Sequence, residues 1–234
     1  MYIVMSNYPD AIPFLNLPSL LKRREIKFYI YNIFACLFLT SVAYPSQEAA
    51  LPSAMSQTSS CSSIAQIDSI KKSAQQGDAK AQCNLGIMYS QGQGIAKDDR
   101  EAFKWLSKAA EQQYAPAQLE LGVLYSQGRG IKEDLRKAFE LFFSAAQQQC
   151  APAQYNLGAF YEKGTGVEQN WKEAVKWYTA AALQQFAPAQ HNLGVLYAQG
   201  QGVEQDWREA FKLFSAAARQ QYAPSQNNLG TLYV

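Results

Sequence analysis

The chain has few of the residue types on which catalytic and metal sites depend. Its 234 residues include one histidine, His191, and four cysteines. None of these residues follows the spacing of a zinc site, and the sequence has no Gly-rich loop of the kind that binds phosphate. A lone histidine is far more often a surface residue than a catalytic one. We therefore predict no catalytic residue, no metal and no cofactor.

Charge is also scarce, and the small positive excess is confined to the N-terminus. Charged residues make up 17% of the chain, and the formal net charge is +2. The first 43 residues hold four of the 21 basic and two of the 19 acidic residues, which leaves 17 of each in the remainder. A neutral body has no long-range field to attract a phosphate backbone, so nucleic acid is not expected as a partner.

What the chain does contain is one short pattern at a fixed period. A Leu-Gly pair, followed three residues after the Gly by Tyr, recurs every 36 residues. The five pairs are Leu85-Gly86, Leu121-Gly122, Leu157-Gly158, Leu193-Gly194 and Leu229-Gly230. A fixed period of roughly 20 to 50 residues indicates a solenoid, in which stacked repeats bury a shared core and offer an extended surface. We therefore expect a binding scaffold rather than an enzyme.

Each repeat is predicted to form two antiparallel helices. In residues 113–148, Pro116 suits the first turn of the first helix. An apolar stripe at helical spacing follows at Ala117, Leu121, Leu124 and Tyr125. Gly122 lies beside this stripe, where a glycine costs ~1 kcal/mol relative to alanine. Its recurrence in every copy predicts close approach of the partner helix.

The second helix of each repeat is predicted to begin after a capping residue. The four caps are Asp98, Asp134, Asn170 and Asp206. Three copies place a glutamate three positions later, which predicts a capping box: Glu101, Glu173 and Glu209. The second helix is expected to bury paired alanines and one bulky column, namely Leu106, Phe142, Tyr178 and Phe214.

The N-terminal segment has the features of an export signal. Lys22-Arg23-Arg24 precedes an apolar run from Phe28 to Ala43, which ends in small residues at Ser41 and Ala43. This order is typical of a cleaved secretory signal. The alternative is an uncleaved membrane anchor, although the 16 apolar-run residues fall short of the ~20 needed to span a bilayer. In either case the repeats are expected in the periplasm, outside the cell or in the secretory lumen.

The sequence thus predicts a linear series of segments. Their bounds are 1–43 for the signal or anchor, 44–63 for a flexible linker, 64–76 for a capping helix, 77–112, 113–148, 149–184 and 185–220 for four repeats, and 221–234 for a partial fifth repeat. After removal of the signal, Cys61, Cys83 and Cys150 remain. A disulfide between two of them is one possibility, and free thiols are favoured.

These residues resemble the motif of Sel-one-like repeat (SLR) proteins, relatives of the tetratricopeptide repeat. The third copy matches it at Ala153, Leu157, Gly158, Tyr161, Gly164, Gly166, Val167, Asn170, Ala174, Ala181 and Ala182. The resemblance covers residues 77–234. It implies an all-α fold, a right-handed α/α solenoid of helix hairpins, and a role in scaffolding protein complexes, often after export from bacteria. The disulfide in each hairpin of a cysteine-rich subset of the family is not expected, because no cysteine recurs at the repeat period.

Candidate binding residues are those that vary between copies and lie away from the apolar stripe. One column, predicted to face outward, contains Cys83, Leu119, Tyr155, His191 and Asn227. The adjacent column contains Asn84, Glu120, Asn156, Asn192 and Asn228. Asparagine can donate to and accept from a peptide backbone, so this ladder predicts contact with an extended segment. The alternative is that these side chains satisfy nearby loops and helix ends.

The leading functional prediction is an exported scaffold that binds a partner protein or peptide on its concave face. The predicted contacts are Asn84, Leu119, Glu120, Tyr155, Asn156, His191, Asn192 and Asn228. The rival is a cell-envelope hydrolase or carbohydrate-active protein that uses Glu120, Glu162 and Asp134 as acids. These carboxylates are expected in capping or solvent positions, where nothing would raise their pKa, so the scaffold is favoured. Membrane contact is expected only through an uncleaved N-terminal segment.

Overall fold

The computed structural model describes residues 56–232, which form ten α-helices and no strand. The helices are α1 (Ser56–Gln75), α2 (Ala79–Gln91), α3 (Asp99–Glu111), α4 (Ala115–Gln127), α5 (Leu135–Gln147), α6 (Ala151–Lys163), α7 (Trp171–Leu183), α8 (Ala187–Gln199), α9 (Trp207–Arg219) and α10 (Ala223–Leu232). The all-α prediction is confirmed. None of these helices combines the length and apolar character needed to cross a membrane.

The helices pack in the order of the chain. Four hairpins form, from α2 with α3, α4 with α5, α6 with α7, and α8 with α9. Each hairpin then packs against the next, while α1 packs on α2 and α10 on α9. We call α2, α4, α6 and α8 the first helices of repeats 1 to 4, and their partners the second helices. Such sequential packing is that of a solenoid with a 36-residue period, as predicted.

The N-terminal capping helix is longer than expected. It begins at Ser56 rather than Ile64 and therefore takes up the last part of the predicted linker. Its face toward α2 contributes Ile70 and Ala74 to a small cluster with Ala81 and Leu85. The predicted signal and the rest of the linker, residues 1–55, lie outside the described residues.

The four recurring glycines of the first helices permit the close approach that the sequence predicted. A Cβ atom on Gly122 would lie 2.7 Å from Cε1 of Phe142, and one on Gly158 would lie 2.7 Å from Cδ1 of Tyr178. Real Cβ atoms do not approach other heavy atoms this closely. Glycine is therefore required where the bulky column of the second helix crosses the first helix.

The N-caps of the second helices are confirmed, but the capping box is not formed. The Asp98 side chain accepts from the backbone N–H groups of Arg100 and Glu101, and Asn170 and Asp206 accept from the equivalent pairs, whereas Asp134 accepts from Lys137 alone. The three glutamates do not bond back to the caps. They bind lysines one turn along instead, as Glu101–Lys104, Glu173–Lys176 and Glu209–Lys212. The N–H of each cap residue is already satisfied, because it donates to a tyrosine carbonyl of the first helix, as in Asp98 to Tyr89.

A ladder of buried glutamines joins consecutive repeats, and sequence reasoning missed it. Its members are Gln82, Gln118, Gln154 and Gln190, all nearly inaccessible to solvent. Each accepts a hydrogen bond from a second glutamine of its own repeat, as in Gln184 Nε2 to Gln154 Oε1 at 2.8 Å. Gln154 also donates to the carbonyl of Ala146 in the preceding repeat. Gln190 makes the equivalent bond to Ala182, whereas Gln118 donates to Gln113 of its own repeat. A buried amide that bonds across a junction helps to fix the position of one repeat on the next.

Candidate protein-interaction groove

The first helices of adjacent repeats leave a cleft between them at the junction of repeats 2 and 3. Its volume is about 310 Å³. Residues from α4 and α6 form most of the wall, and they include Val123, Ser126, Gln127, Asn156, Ala159 and Lys163. Phe142 and Phe160 also line it, with their rings in edge-to-face contact at 5.2 Å. The cleft thus combines apolar side chains with the polar groups of Ser126, Gln127 and Asn156 and with the Lys163 ammonium, while the Phe142 and Phe160 rings are nearly inaccessible to solvent.

The corresponding positions at the junction of repeats 3 and 4 hold a polar network. Tyr178 occupies the place of Phe142, Glu162 that of Ser126, and Asn192 that of Asn156. The Tyr178 hydroxyl donates to Oε2 of Glu162 at 2.5 Å and accepts from Nδ2 of Asn192 at 3.1 Å. Tyr178 is fully buried. Burial, followed by the adjacent Glu162 charge, raises the pKa of Tyr178 far above its usual value, so the phenol remains a donor.

The junction of repeats 1 and 2 holds a carboxylate at the asparagine position. Burial raises the pKa of Glu120, and the positive charge of Arg129 opposes that shift. The Arg129 guanidinium itself is bound to the Asp99 carboxylate at 2.5 Å and to the carbonyl of Ser90 at 2.9 Å. The expectation that nothing would raise the pKa of Glu120 is therefore wrong, because its helix is covered on more sides than the sequence pattern indicates.

The column predicted to face outward packs largely against neighbouring hairpins instead. Cys83 is 1% exposed, and burial raises the pKa of its thiol to about 12, with the nearby Glu120 adding to the effect. The Tyr155 ring contacts the rings of Tyr178 and Phe186. Leu119 packs against the core cluster of the second and third repeats. The outward orientation is therefore wrong, since these side chains fill the space between repeats.

His191 belongs to the same column and is also enclosed. Its ring contacts Phe214 and Tyr222, and its Nδ1 lies 2.9 Å from the hydroxyl of the buried Ser225. Burial lowers the pKa of His191 to about 4. The imidazole is thus neutral at physiological pH and acts as a packing group with one hydrogen bond.

The asparagine column lies along the first-helix surface, and its members have different neighbours. Asn84 is exposed and lines a cleft of about 430 Å³ between α1 and α2. Asn156 lines the cleft of repeats 2 and 3, and Asn192 is bonded to Tyr178. Asn228 is partly buried on α10. Two members thus reach open clefts, and peptide binding by the ladder stays a prediction.

We call the surface formed by two columns of the first helices the first-helix groove. One column is Asn84, Glu120, Asn156 and Asn192, and the other contributes Ser126 and Glu162, whose equivalents Ser90 and Ala198 are buried. Sequence reasoning missed the second column as a site, although its variation from serine to glutamate is a signal of the same kind. Within residues 56–232 no group of histidine, cysteine or acidic side chains could hold a metal ion. Cys83 and Cys150 are free thiols.

Four consecutive Sel1 repeats match the chain at residues 79–114, 115–150, 151–186 and 187–222. These matches account for more than half of the sequence. The chain belongs to the Sel1 repeat family. Members of this family are generally protein-interaction modules and typically scaffolds rather than enzymes.

Solved structures of two Sel1-type proteins are similar to this chain. One is a protective antigen of uropathogenic Escherichia coli strains that displays an SLR fold, at 39% identity over 71% of this chain with a TM-score of 0.68. Another is a Sel1 repeat protein from Oxalobacter formigenes, at 34% identity over 67% of this chain with a TM-score of 0.65. This chain spans 36% of the first protein and 64% of the second. A search of curated proteins finds no match.

Proposed function

We propose that this protein is an exported scaffold that binds a partner protein or peptide along the first-helix groove. The observation that carries the proposal is the open cleft between α4 and α6, where the partly accessible Val123 and Ala159 lie beside Ser126 and Asn156. Apolar surface supplies binding energy, and a few polar groups fix the orientation of a ligand. The family's general role as a protein-interaction module supports the same function.

Export is supported by the order of basic, apolar and small residues before Tyr44. The similar Escherichia coli protein is a protective antigen, and an exported location for this chain would agree with that role. Fractionation of cells that express the full chain tests this. Leu37→Arg places a charge in the apolar run and should leave the protein in the cytosol, whereas equal export of both forms would contradict the proposal.

An enzyme receives less support from the same residues. The Asp134 carboxylate caps α5, and Glu162 accepts a hydrogen bond from Tyr178. Burial raises the pKa of Glu120, but its charged neighbour Arg129 opposes that shift and is itself bound to Asp99. No second carboxylate contacts Glu120 in the described part of the chain, so the pair that glycoside hydrolysis requires is not assembled there.

The binding face can be tested with two matched tryptophan variants. Gln127→Trp obstructs the cleft from an exposed position on α4, and Glu140→Trp adds the same bulk at an exposed position on α5. Affinity capture from the exported fraction, read by mass spectrometry, should lose a partner with Gln127→Trp and keep it with Glu140→Trp. Loss with Glu140→Trp alone would place binding on the second helices and overturn the proposal.

A further inference from the structure

The first helices of the four repeats carry very little charge. Their only charged side chains are Lys80, Glu120, Glu162 and Lys163. The two lysines are exposed, whereas the two glutamates are partly buried in the first-helix groove. The second helices, in contrast, place their charges on exposed faces and pair several of them. The two groove carboxylates are therefore the partly buried charges of the first helices, and neither forms an ion pair in residues 56–232.

Neither groove carboxylate forms a direct ion pair with a basic side chain in residues 56–232, although the Arg129 charge is near enough to Glu120 to act against the rise of its pKa. The one hydrogen bond to the Glu162 carboxylate comes from the Tyr178 phenol, which is neutral. No hydrogen bond or ion pair in residues 56–232 engages the Glu120 carboxylate, and the nearby Arg129 is bound to Asp99 and Ser90. A partly buried carboxylate that no basic side chain contacts directly gains more from an incoming cation than an exposed one does.

The two carboxylates lie at the two junctions on either side of the cleft between α4 and α6. Glu120 is at the junction of repeats 1 and 2, and Glu162 is at the junction of repeats 3 and 4. The cleft between them is lined by the partly accessible apolar side chains of Val123 and Ala159, over the buried rings of Phe142 and Phe160, and by Lys163. The order along the groove is therefore acidic, apolar and acidic. The Lys163 ammonium disfavours a third cation at the middle position.

We infer that the partner is an extended peptide segment in which one apolar side chain lies between two basic side chains. This inference rests on the proposed function and specifies the chemistry of its ligand. Packed helices lie ~8–10 Å apart, and an extended chain advances ~3.3 Å per residue. One repeat therefore corresponds to about three ligand residues. The expected pattern is a basic residue, two others, an apolar residue, two others and a second basic residue.

The test is fluorescence anisotropy of the folded chain with a labelled nonapeptide that has lysines three residues to either side of a central leucine. Replacing both lysines by glutamate should abolish binding. Replacing the leucine by serine should weaken binding about tenfold, since the loss of one buried apolar side chain is worth roughly 1.5 kcal/mol. Binding of the lysine peptide should also weaken as salt is added.

Isosteric variants separate the charge from the shape of the groove. Glu162→Gln keeps an oxygen that can accept from Tyr178, and Glu120→Gln keeps the volume of the side chain. Each should weaken the lysine peptide about three- to tenfold, and Glu140→Gln on the exposed face of α5 should leave it unchanged. Melting temperatures within error of the parent protein show that each variant is folded.

Each possible result of these experiments either supports or overturns the inference of a basic peptide ligand. Equal binding of the lysine and glutamate peptides, or unchanged binding after both glutamate substitutions, overturns it. No binding of the lysine peptide also overturns it, and if Gln127→Trp still abolishes partner capture then the proposed function survives with a ligand of other chemistry. Partner capture that is unaffected by Gln127→Trp counts against the proposed function itself.

Discussion

The junction of repeats 2 and 3 and the junction of repeats 3 and 4 use the same scaffold for different surfaces. At the first, Phe142 and Ser126 leave an open cleft. At the second, Tyr178 and Glu162 are joined by a hydrogen bond, and Asn192 completes the network. The helices, caps and glycines around both junctions are the same. The bonded polar cluster thus depends on Tyr178 and Glu162, which stand where the other junction has Phe142 and Ser126, although further lining positions also differ between the two junctions.

This difference separates two kinds of column within one repeat. Columns that pack a hairpin, such as Ala138 and its equivalents Ala102, Ala174 and Ala210, are fully buried and identical in every copy. Columns at the groove differ between copies although their backbone is the same. In a repeat protein each repeat contacts only its neighbours, so a groove residue can change without disturbing distant repeats.

The substitution with the largest expected effect on stability removes the close helix approach that both junctions share. Gly122→Leu places side-chain atoms where the Phe142 ring lies and should lower the free energy of unfolding by about 3 kcal/mol through overpacking. Denaturant unfolding measures the change, with Gln127→Leu at an exposed position of the same helix as the control. A loss no greater than that of the control would show that close approach does not require the glycine.

A smaller effect comes from making the two junctions alike. Tyr178→Phe copies Phe142, leaves Glu162 without its donor and should cost about 1–2 kcal/mol. Adding Glu162→Ser, which copies Ser126, should recover part of that loss because it removes the unsatisfied carboxylate. A double-mutant cycle measures the coupling, and strictly additive losses would show that the hydrogen bond contributes nothing to stability.

Because of His191, the stability of the junction between repeat 4 and the partial fifth repeat is expected to depend on pH. Unfolded histidine takes up a proton near pH 6.5, whereas the pKa of folded His191 is lowered to about 4. Stability attributable to this residue is therefore complete above pH 6.5 and falls as the pH drops toward 4. His191→Asn copies Asn227 and lacks this loss.

Urea unfolding of both proteins at several pH values checks this prediction. The variant should gain stability relative to the parent as the pH is lowered from about 7 to about 4. A stability difference that stays constant with pH would mean that His191 titrates normally and is not enclosed as described.

The smallest expected effect lies at the junction of repeats 1 and 2. Arg129→Gln copies the glutamine at position 93 or 201 and breaks the ion pair with Asp99. The pair is partly exposed, so the loss should be about 0.5 kcal/mol and should shrink in high salt. Thermal unfolding at low and high salt measures it. A loss above 2 kcal/mol would make this pair a principal contact between the repeats.

The features that repeat were predictable from the sequence, and those that depend on the neighbouring hairpin were not. The caps at Asp98 and Asp206 and the close approach at Gly122 follow from local preferences and from the period alone. The position of Tyr155 does not, because a helix in a solenoid is covered by its own partner and by the next repeat. A helical-wheel projection of the first helix alone places Tyr155 opposite the apolar stripe and thus in solvent. In the structure the Tyr155 ring instead contacts Phe186.

The candidate site was only partly predictable for the same reason. Asn156 was expected at the groove and lines the cleft, while Glu162 was not expected there. Glu162 accepts its hydrogen bond from the hydroxyl of Tyr178, and the other three copies have no tyrosine at that position of the bulky column. This pairing becomes visible only when the hairpin is assembled. The buried ladder of Gln154 and its equivalents was missed because glutamine is usually an exposed residue.

The most direct test of the account is hydrogen–deuterium exchange of the protein with and without its captured partner. If the partner binds along the first-helix groove, the amides of α4, α6 and α8 should show the greatest slowing of exchange. The amides of α5, α7 and α9 should change little. Slowing concentrated in α5, α7 and α9, with α4, α6 and α8 unaffected, would contradict the assignment of the groove as the binding face.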